Sequence, residues 1–548
     1  MLEDLDLSAI HEENARELIQ RLLNLVEQLA ADLREAQAEN QRLCDENNHL
    51  KGEQGKPQVK GNVKARGSQD HSSEKERQVK RQRHKRGKKA EIKVDREQVL
   101  RVAAEALPGD AKFQGYKDVV VQDILLKTDN VRFLEEKYYS PSQKKTYQAR
   151  VPRGYEGGFG PGVKALVLLL GFGMDLGEPK IREFLQLGGV QISKGKISNL
   201  LIKKQDEFHA EKAAVHEAGL KSSFWQHIDD TLTRLNGQNW HCHGLCNPVY
   251  SSFMTLPKKD RLSVLDVLRN GRPRRFRLNQ EALKLLNAVQ LSNPIRQLLL
   301  KWSSDCEWEE AAFLKELQER VPQANLTQRT AILSAAAVAA YHAETGWPIV
   351  QILLCDDAPQ FDWLARLSKC WVHDGRPYKK LMPVIPLHRQ LRDDFLKRYW
   401  AYYHKLLEYK QHPTPEKSTR LEVEFEELFS THTGYDLLDQ GIAKTLAKKE
   451  SLLWVLKYPE LPLNNNPAEL LARKRVRKRD TCFGPRTPEG CKAWDTFMSL
   501  ADTARKLEVN FYDYLRDRIT GINAIPPLVD LITKKAKELN LSPSLPPA

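Results

Sequence analysis

A chain of 548 residues is longer than one ordinary core can organise, so about three or four folding units are expected. Its formal charge of +14 calls for an anionic partner. With no run of ~18 apolar residues, and an acidic Met1-Leu2-Glu3-Asp4 start, a membrane partner or a secretory signal is not expected, which leaves nucleic acid. Eight scattered cysteines exclude a secreted disulfide scaffold and fit a reducing, cytoplasmic setting.

From residue 15 to residue 50 the apolar side chains follow a heptad. Ile19, Val26 and Leu33 share one seam position, and Leu22, Leu29, Leu43 and Leu50 share the other. Asn40 and Asn47 fall in step with Ile19, as polar residues that set the register of a parallel pair do. Residues 1–50 are therefore expected to form a coiled coil that makes the protein a homodimer or higher assembly. The alternative is a helix docked on its own globular body, and the polar chain beginning at Lys51 argues against it. Residues 51–95 carry 15 Lys or Arg against 6 Asp or Glu and read as a basic disordered linker that holds phosphates without reading sequence.

Residues 96–220 predict a short helix from Arg96, then β-rich segments at 119–126, 130–139 and 145–151. After the glycine-rich link 157–162 come three helices: 163–170, one from Pro179 to Gly188, and one that Ser193 caps. A helix, a glycine turn and a basic helix make a helix-turn-helix-like pattern, with Lys194, Lys196, Ser198 and Asn199 as candidate DNA contacts.

Residues 221–521 read as the chemical unit. In the strand 224–232, a period of two places Phe224, Ile228, Asp230 and Leu232 on one face and His227, Asp229 and Thr231 on the other. Residues 240–245 and 250–256 continue as antiparallel strands, with a turn at Asn236-Gly237. Helical insertions are expected at about 258–346 and 381–460. Ile349 to Cys355 is nearly all apolar, as a strand covered on both faces is, and it ends in Asp356-Asp357. That is where open α/β sheets place ligands, although a turn aspartate would look the same. Ser368 to His373 reads as one more short strand, and 522–548 as a C-terminal helix and tail. His241-Cys242-His243-Gly244-Leu245-Cys246 has zinc-binding residue types but no second ligand pair.

One stretch gathers these pieces. Leu463-Asn464-Asn465-Asn466-Pro467-Ala468-Glu469 is a helix start, with Asn466 as N-cap and Pro467 at the first helical position. Cations follow at Arg473, Lys474, Arg475, Arg477, Lys478 and Arg479. Alone, this is a capped helix. Together with Asp229 and Asp356, Glu469 completes three hard oxygen ligands on three separate elements, the donor set of a two-metal phosphoryl-transfer site. Arg473, Lys474, Arg475, Arg477 and Lys478 are then candidate phosphate contacts.

These residues resemble DDE transposases, specifically the insertion sequence family 66 group. The matching points are Asp229-Asp230-Thr231, Leu354-Cys355-Asp356, Cys370-Trp371-Val372-His373, and Asn465-Asn466-Pro467-Ala468-Glu469 with Arg473 and Asp480-Thr481-Cys482-Phe483-Gly484. The likeness runs from about Val119 to Ile519. It implies an α/β fold with an RNase H-like mixed sheet and helical insertions, and a catalytic, metal-binding triad of Asp229, Asp356 and Glu469. It also implies magnesium, with manganese as a substitute, double-stranded DNA at element ends and target, accessory transposition proteins, and a bacterial cytoplasm. The family's cysteine-rich zinc module has no counterpart in 138–145, which lacks cysteine, so zinc is not expected. A nuclease of the same fold that only hydrolyses, or an inactive transposase-derived DNA-binding protein, would share much of this pattern.

Overall fold

The computed structural model describes residues 12–51, 94–103, 108, 111–124, 126–542 and 544–545. Nearly all of the basic linker lies outside the described residues. The N-terminal helix is Glu13–Leu50. Two of its expected properties separate in space. Leu22, Val26, Leu29, Leu33, Leu43 and Leu50 are exposed, so the heptad seam faces away from the protomer. A neighbouring stripe docks on the protein's own body, contrary to expectation. Gln20 and Asn24 donate to the Gly434 carbonyl, both at 3.0 Å, and Glu27 accepts the backbone N–H groups of Val384 and Ile385 at 3.1 and 2.8 Å. These contacts are polar, so an apolar pattern does not report them, although Leu23 on the same helix is buried as well.

Residues 94–103 have no helix, and 111–124 have no strand. Of the three β-rich segments, the hairpin β1 (Lys137–Ser140) and β2 (Lys145–Gln148) forms. The three helices that follow, Pro161–Leu168, Glu178–Leu187 and Lys194–Ile202, lie close to expectation, and Ser193 caps the last by accepting from the Lys196 N–H.

The central sheet is mixed, in the order β5-β4-β3-β8-β9. β3 (Trp225–Leu235), β4 (Gln238–Asn247) and β5 (Tyr250–Leu256) form an antiparallel meander. Asn236 and Gly237 both take positive φ, 49° and 78°, as a two-residue hairpin turn requires. An insertion follows in which β6 (Arg275–Arg277) and β7 (Glu307–Glu309) pair among helices, including the alanine-rich Leu326–His342. β8 (Ile352–Cys355) then joins β3 in parallel, buried at every residue, and β9 (Arg366–Lys369) joins β8 in parallel. The expected strand 368–373 is corrected at this point. Cys370 donates its N–H to the Cys355 carbonyl as the last rung, and Trp371–Lys380 is a helix.

The open edge at β5 is closed by the helix Pro488–Lys506. Asp495, Ser499 and Thr503 stand four residues apart on it. Their oxygens accept the N–H groups of Thr255, Phe253 and Ser251, which stand two apart on the strand, at 2.7, 2.8 and 3.1 Å. One turn of helix covers nearly the length of two strand residues, so the two repeats match and the edge is satisfied.

One large core joins the sheet to the 161–221 helices, the first insertion and the C-terminal helices, through residues such as Ile228, Phe253, Leu265, Ala336 and Phe497. A separate aromatic core fills the second insertion, where Trp371 packs against Tyr399, Tyr402 and Phe425. Among the described residues no helix is long and apolar enough to cross a membrane.

Candidate active site

The helix Asn466–Cys482 lies across β3 and β4. Its approach depends on Gly244, the residue opposite Asp229 on β4, where a Cβ would come within 3.1 Å of the Leu471 Cβ. Without that atom the helix settles onto the sheet beside Asp229, and a cleft of about 370 Å³ opens between them. Asp229, Thr231, His373, Arg376, Glu469, Arg473 and Arg477 line it. The strand alternation holds. Asp229 and Thr231 face this cleft, while Asp230 accepts from Gln360 at 3.0 Å and lies near His243.

Asp356 does not line the cleft, but its charge and that of Glu469 bear on Asp229. Burial drives the Asp229 carboxyl up to about 7, opposed by the Asp230 N–H that it accepts, and the negative charges of Asp356, Asp230 and Glu469 push it further upward. Asp356 follows the last residue of β8 and takes the Ala358 N–H at 3.1 Å, so the turn role also holds. Glu469 meets two guanidinium groups and an imidazole. Arg376 lies 3.2 Å from it, and Arg473 and His373 each 3.5 Å. Among the described residues no group of three or more His, Cys, Asp or Glu side chains is gathered tightly enough to hold a metal ion.

The helix start differs from the expected cap. Asn465 occupies the cap position without its side chain capping the helix, and the Asn466 N–H goes to Asn464 Oδ1 at 3.2 Å. The Asn465 amide instead donates to the Ile228 carbonyl at 2.7 Å and meets His227 Nδ1 at 2.9 Å. Burial pushes the His227 imidazole down to about 3, so it is neutral here.

The cations divide by helix face. Arg473 and Arg477, one turn apart and one and two turns after Glu469, are exposed along the cleft. Two of the expected phosphate contacts are corrected. Arg475 is 1% exposed, bonded to Thr255 at 3.1 Å, paired with Asp495 at 3.3 Å and stacked on Trp494. Lys478 is 2% exposed, donates to the Gly171 carbonyl and lies over Trp494 and Phe172. Both pin the helix to the body and cannot reach DNA without leaving it. Lys474 is paired with Asp502. On the Lys194–Ile202 helix, Lys194 and Asn199 are exposed and Ser198 is half-buried, whereas Lys196 donates to the Gly157 carbonyl at 2.9 Å.

Arg376 is the cleft residue that sequence reasoning missed. It stands three after His373, so the two share a face once Trp371–Lys380 is a helix. Read as a strand, that stretch sends them to opposite faces. His373 is held below the usual imidazole range by burial first and by Arg376 second, and its buried Nδ1 has no hydrogen-bond partner.

Fold and site thus define an α/β protein whose cleft sets acidic side chains from β3 and a helix start against arginines. No family model matches the chain. It is 30% identical over 323 residues to the uncharacterized protein y4jO of Sinorhizobium fredii, across 58% of this chain and 99% of that protein. The chain belongs to the same family as that protein.

Proposed function

We propose that the protein is a DNA transposase of the DDE type, acting through an RNase H-like core. The observation that carries this reading is that Asp229 and Glu469 share one cleft with Arg376, Arg473 and Arg477, with the charge of Asp356 bearing on Asp229 from the end of β8. A sheet with three antiparallel strands, two further parallel strands on the other side of the first, and a helix lying across it supports the fold assignment.

The donor set suits magnesium or manganese. It is made of carboxylate oxygens, and the Asp229 carboxyl, lifted to about 7 by burial and then by nearby like charge, is one whose ionised form a dication favours. Asp229, Asp356 and Glu469 would hold the metal ions, which supply Lewis-acid activation of the attacking oxygen and stabilise the leaving one. Arg473 and Arg477 hold backbone phosphate oxygens along the helix, contributing affinity and orientation without base reading. Water attacks the phosphodiester at the element end, a P–O bond breaks, and a 3′ hydroxyl is freed. That hydroxyl then attacks a target phosphodiester, one P–O bond forming as another breaks. The exposed leucine seam of Glu13–Leu50 pairs two protomers so that both ends are held, and Lys194 and Asn199 face outward to contact end DNA.

The test is joining. The gene's flanking DNA is searched for inverted repeats to define the end sequence, and precleaved ends are mixed with target DNA and magnesium. Joined products support transposition. Cleavage of intact ends without joining assigns a nuclease, and DNA binding without either product assigns an inactive DNA-binding descendant.

A further inference from the structure

Asn465 is 1% exposed, and its four polar groups are bonded to three elements, two of them to β3. Its backbone N–H meets the Cys370 sulfur at 3.2 Å, and its carbonyl accepts the Glu469 N–H at 3.2 Å. Its side-chain Nδ2 donates to the Ile228 carbonyl at 2.7 Å, which leaves Oδ1 to accept from His227 Nδ1 at 2.9 Å. Each bond ends next to the chemistry. Ile228 precedes Asp229 on β3. Cys370 donates to the Cys355 carbonyl at 3.1 Å, and Cys355 precedes Asp356. The Glu469 N–H belongs to the third carboxylate itself. The neighbouring rung, Trp371 N–H to the Leu463 carbonyl at 3.0 Å, closes the same junction and starts the helix that carries His373 and Arg376.

We propose that Asn465 is a positioning residue that sets the relative placement of Asp229, Asp356 and Glu469, tying the three elements that bear them at one buried point. A cap at this position would serve only the local helix start. The Asn465 amide serves β3 instead, while Asn464 Oδ1 takes the first helical N–H of Asn466–Cys482 at 3.2 Å. No other side chain carries a donor and an acceptor at the spacing of one amide on so short a stem. Asp keeps the acceptor for His227 but sets oxygen against the Ile228 carbonyl, Ala keeps neither, and Gln adds a methylene to a filled site.

The inference rests on the phosphoryl-transfer reading of the cleft, and its test separates the two. Asn465→Ala and Asn465→Asp are made in the full chain, with Tyr402→Phe as a comparison. Tyr402 donates to the Leu421 carbonyl at 2.7 Å inside the aromatic core, and its loss weakens the fold away from the cleft. Amide hydrogen exchange is followed in metal-free protein, and turnover and DNA affinity are followed in the cleavage and joining assay. Exchange is expected to rise at both 228–231 and 466–470 in the Asn465 variants. Turnover falls about 100-fold, the cost of ångström-scale misplacement, while DNA affinity stays within about twofold of wild type. In Tyr402→Phe neither segment changes and turnover is retained. Unchanged exchange at 228–231, or a turnover loss matched by Tyr402→Phe, overturns the proposal. If the wild-type protein neither cleaves nor joins DNA, the functional reading falls, and exchange alone decides the tie. If Asn465→Ala fails to fold, the near-isosteric Asn465→Asp carries the comparison.

Discussion

Arg376 lies 3.2 Å from one oxygen of Glu469 and 3.4 Å from the other, so the Glu469 carboxylate is held by a guanidinium from a different helix, Trp371–Lys380. Arg376 is about half exposed, which limits what the pair adds to stability but not its effect on a cation competing for the same oxygens. Arg376→Ala is expected to lower the magnesium concentration needed for half-maximal activity and to leave the melting temperature within about 2 °C. It should also weaken DNA binding by severalfold. A metal titration of the variant checks this, and an unchanged or higher half-maximal concentration contradicts it.

The Asp229 carboxyl gives a pH dependence with a defined sign. Its value is raised in the folded protein from 3.8 to about 7, so between those limits the folded state binds a proton that the unfolded state does not. The stability contributed by that proton is present at low pH and is lost as pH rises toward 7. Asp229→Asn is therefore expected to flatten this slope and to stabilise metal-free protein at pH 8 by on the order of 2 kcal/mol. Divalent cations act oppositely, binding wild type more tightly as pH rises through 7. Thermal melts across pH 5–8, with and without magnesium, test both signs.

Two arginines two residues apart on one helix should behave as different kinds of residue. Arg475→Ala leaves Asp495 buried without its cation while Asp495 still holds the β5 edge, so a loss of roughly 3–5 kcal/mol in stability is expected. Arg477→Ala should leave the melting temperature unchanged. It should weaken DNA binding evenly across sequences and reduce the slope of log affinity against log salt by about 1. Equal melting losses in the two variants would show that the helix faces are misassigned.

Glu27 is buried against the start of Pro386–Gln411, accepting two N–H groups, with His388 3.5 Å away. Glu27→Ala is expected to cost about 1–3 kcal/mol and to raise amide exchange along 13–50 without altering assembly. Replacing Leu22 and Leu29 by Ala should do the reverse, lowering the sedimenting mass while the dock stays intact. If the leucine changes leave the mass unaltered, the exposed seam is not the contact between copies.

The elements that could be read from the sequence are those whose pattern is local. Alternation along β3 separated Asp229 from Asp230, Asn236-Gly237 marked its turn, and the apolar run before Asp356 marked β8. Cys370 to His373 is locally ambiguous, because four such residues alternate as well in a strand as they sit in a helix. What decides is the Cys370 bond to Cys355 and the seat of Trp371 in the aromatic core, both set by distant residues. The burial of Arg475 and Lys478 was equally hidden. Within the helix they belong to an unbroken cationic run, and the groups that receive them, Thr255, Asp495 and Gly171, lie on other elements. The local rule favours Asn466 as the cap, whereas Asn465 ends the loop and ties it to β3.

The central claim is that Asp229, Asp356 and Glu469 form one phosphoryl-transfer centre. Its most direct test is strand transfer of precleaved element ends into target DNA with magnesium, for wild type and for Asp229→Asn, Asp356→Asn and Glu469→Gln, each confirmed as folded and DNA-binding. Joined product from wild type, with a loss of at least about 1,000-fold in every variant, is the predicted result. Joining that survives any one of the three substitutions at the wild-type rate would contradict it.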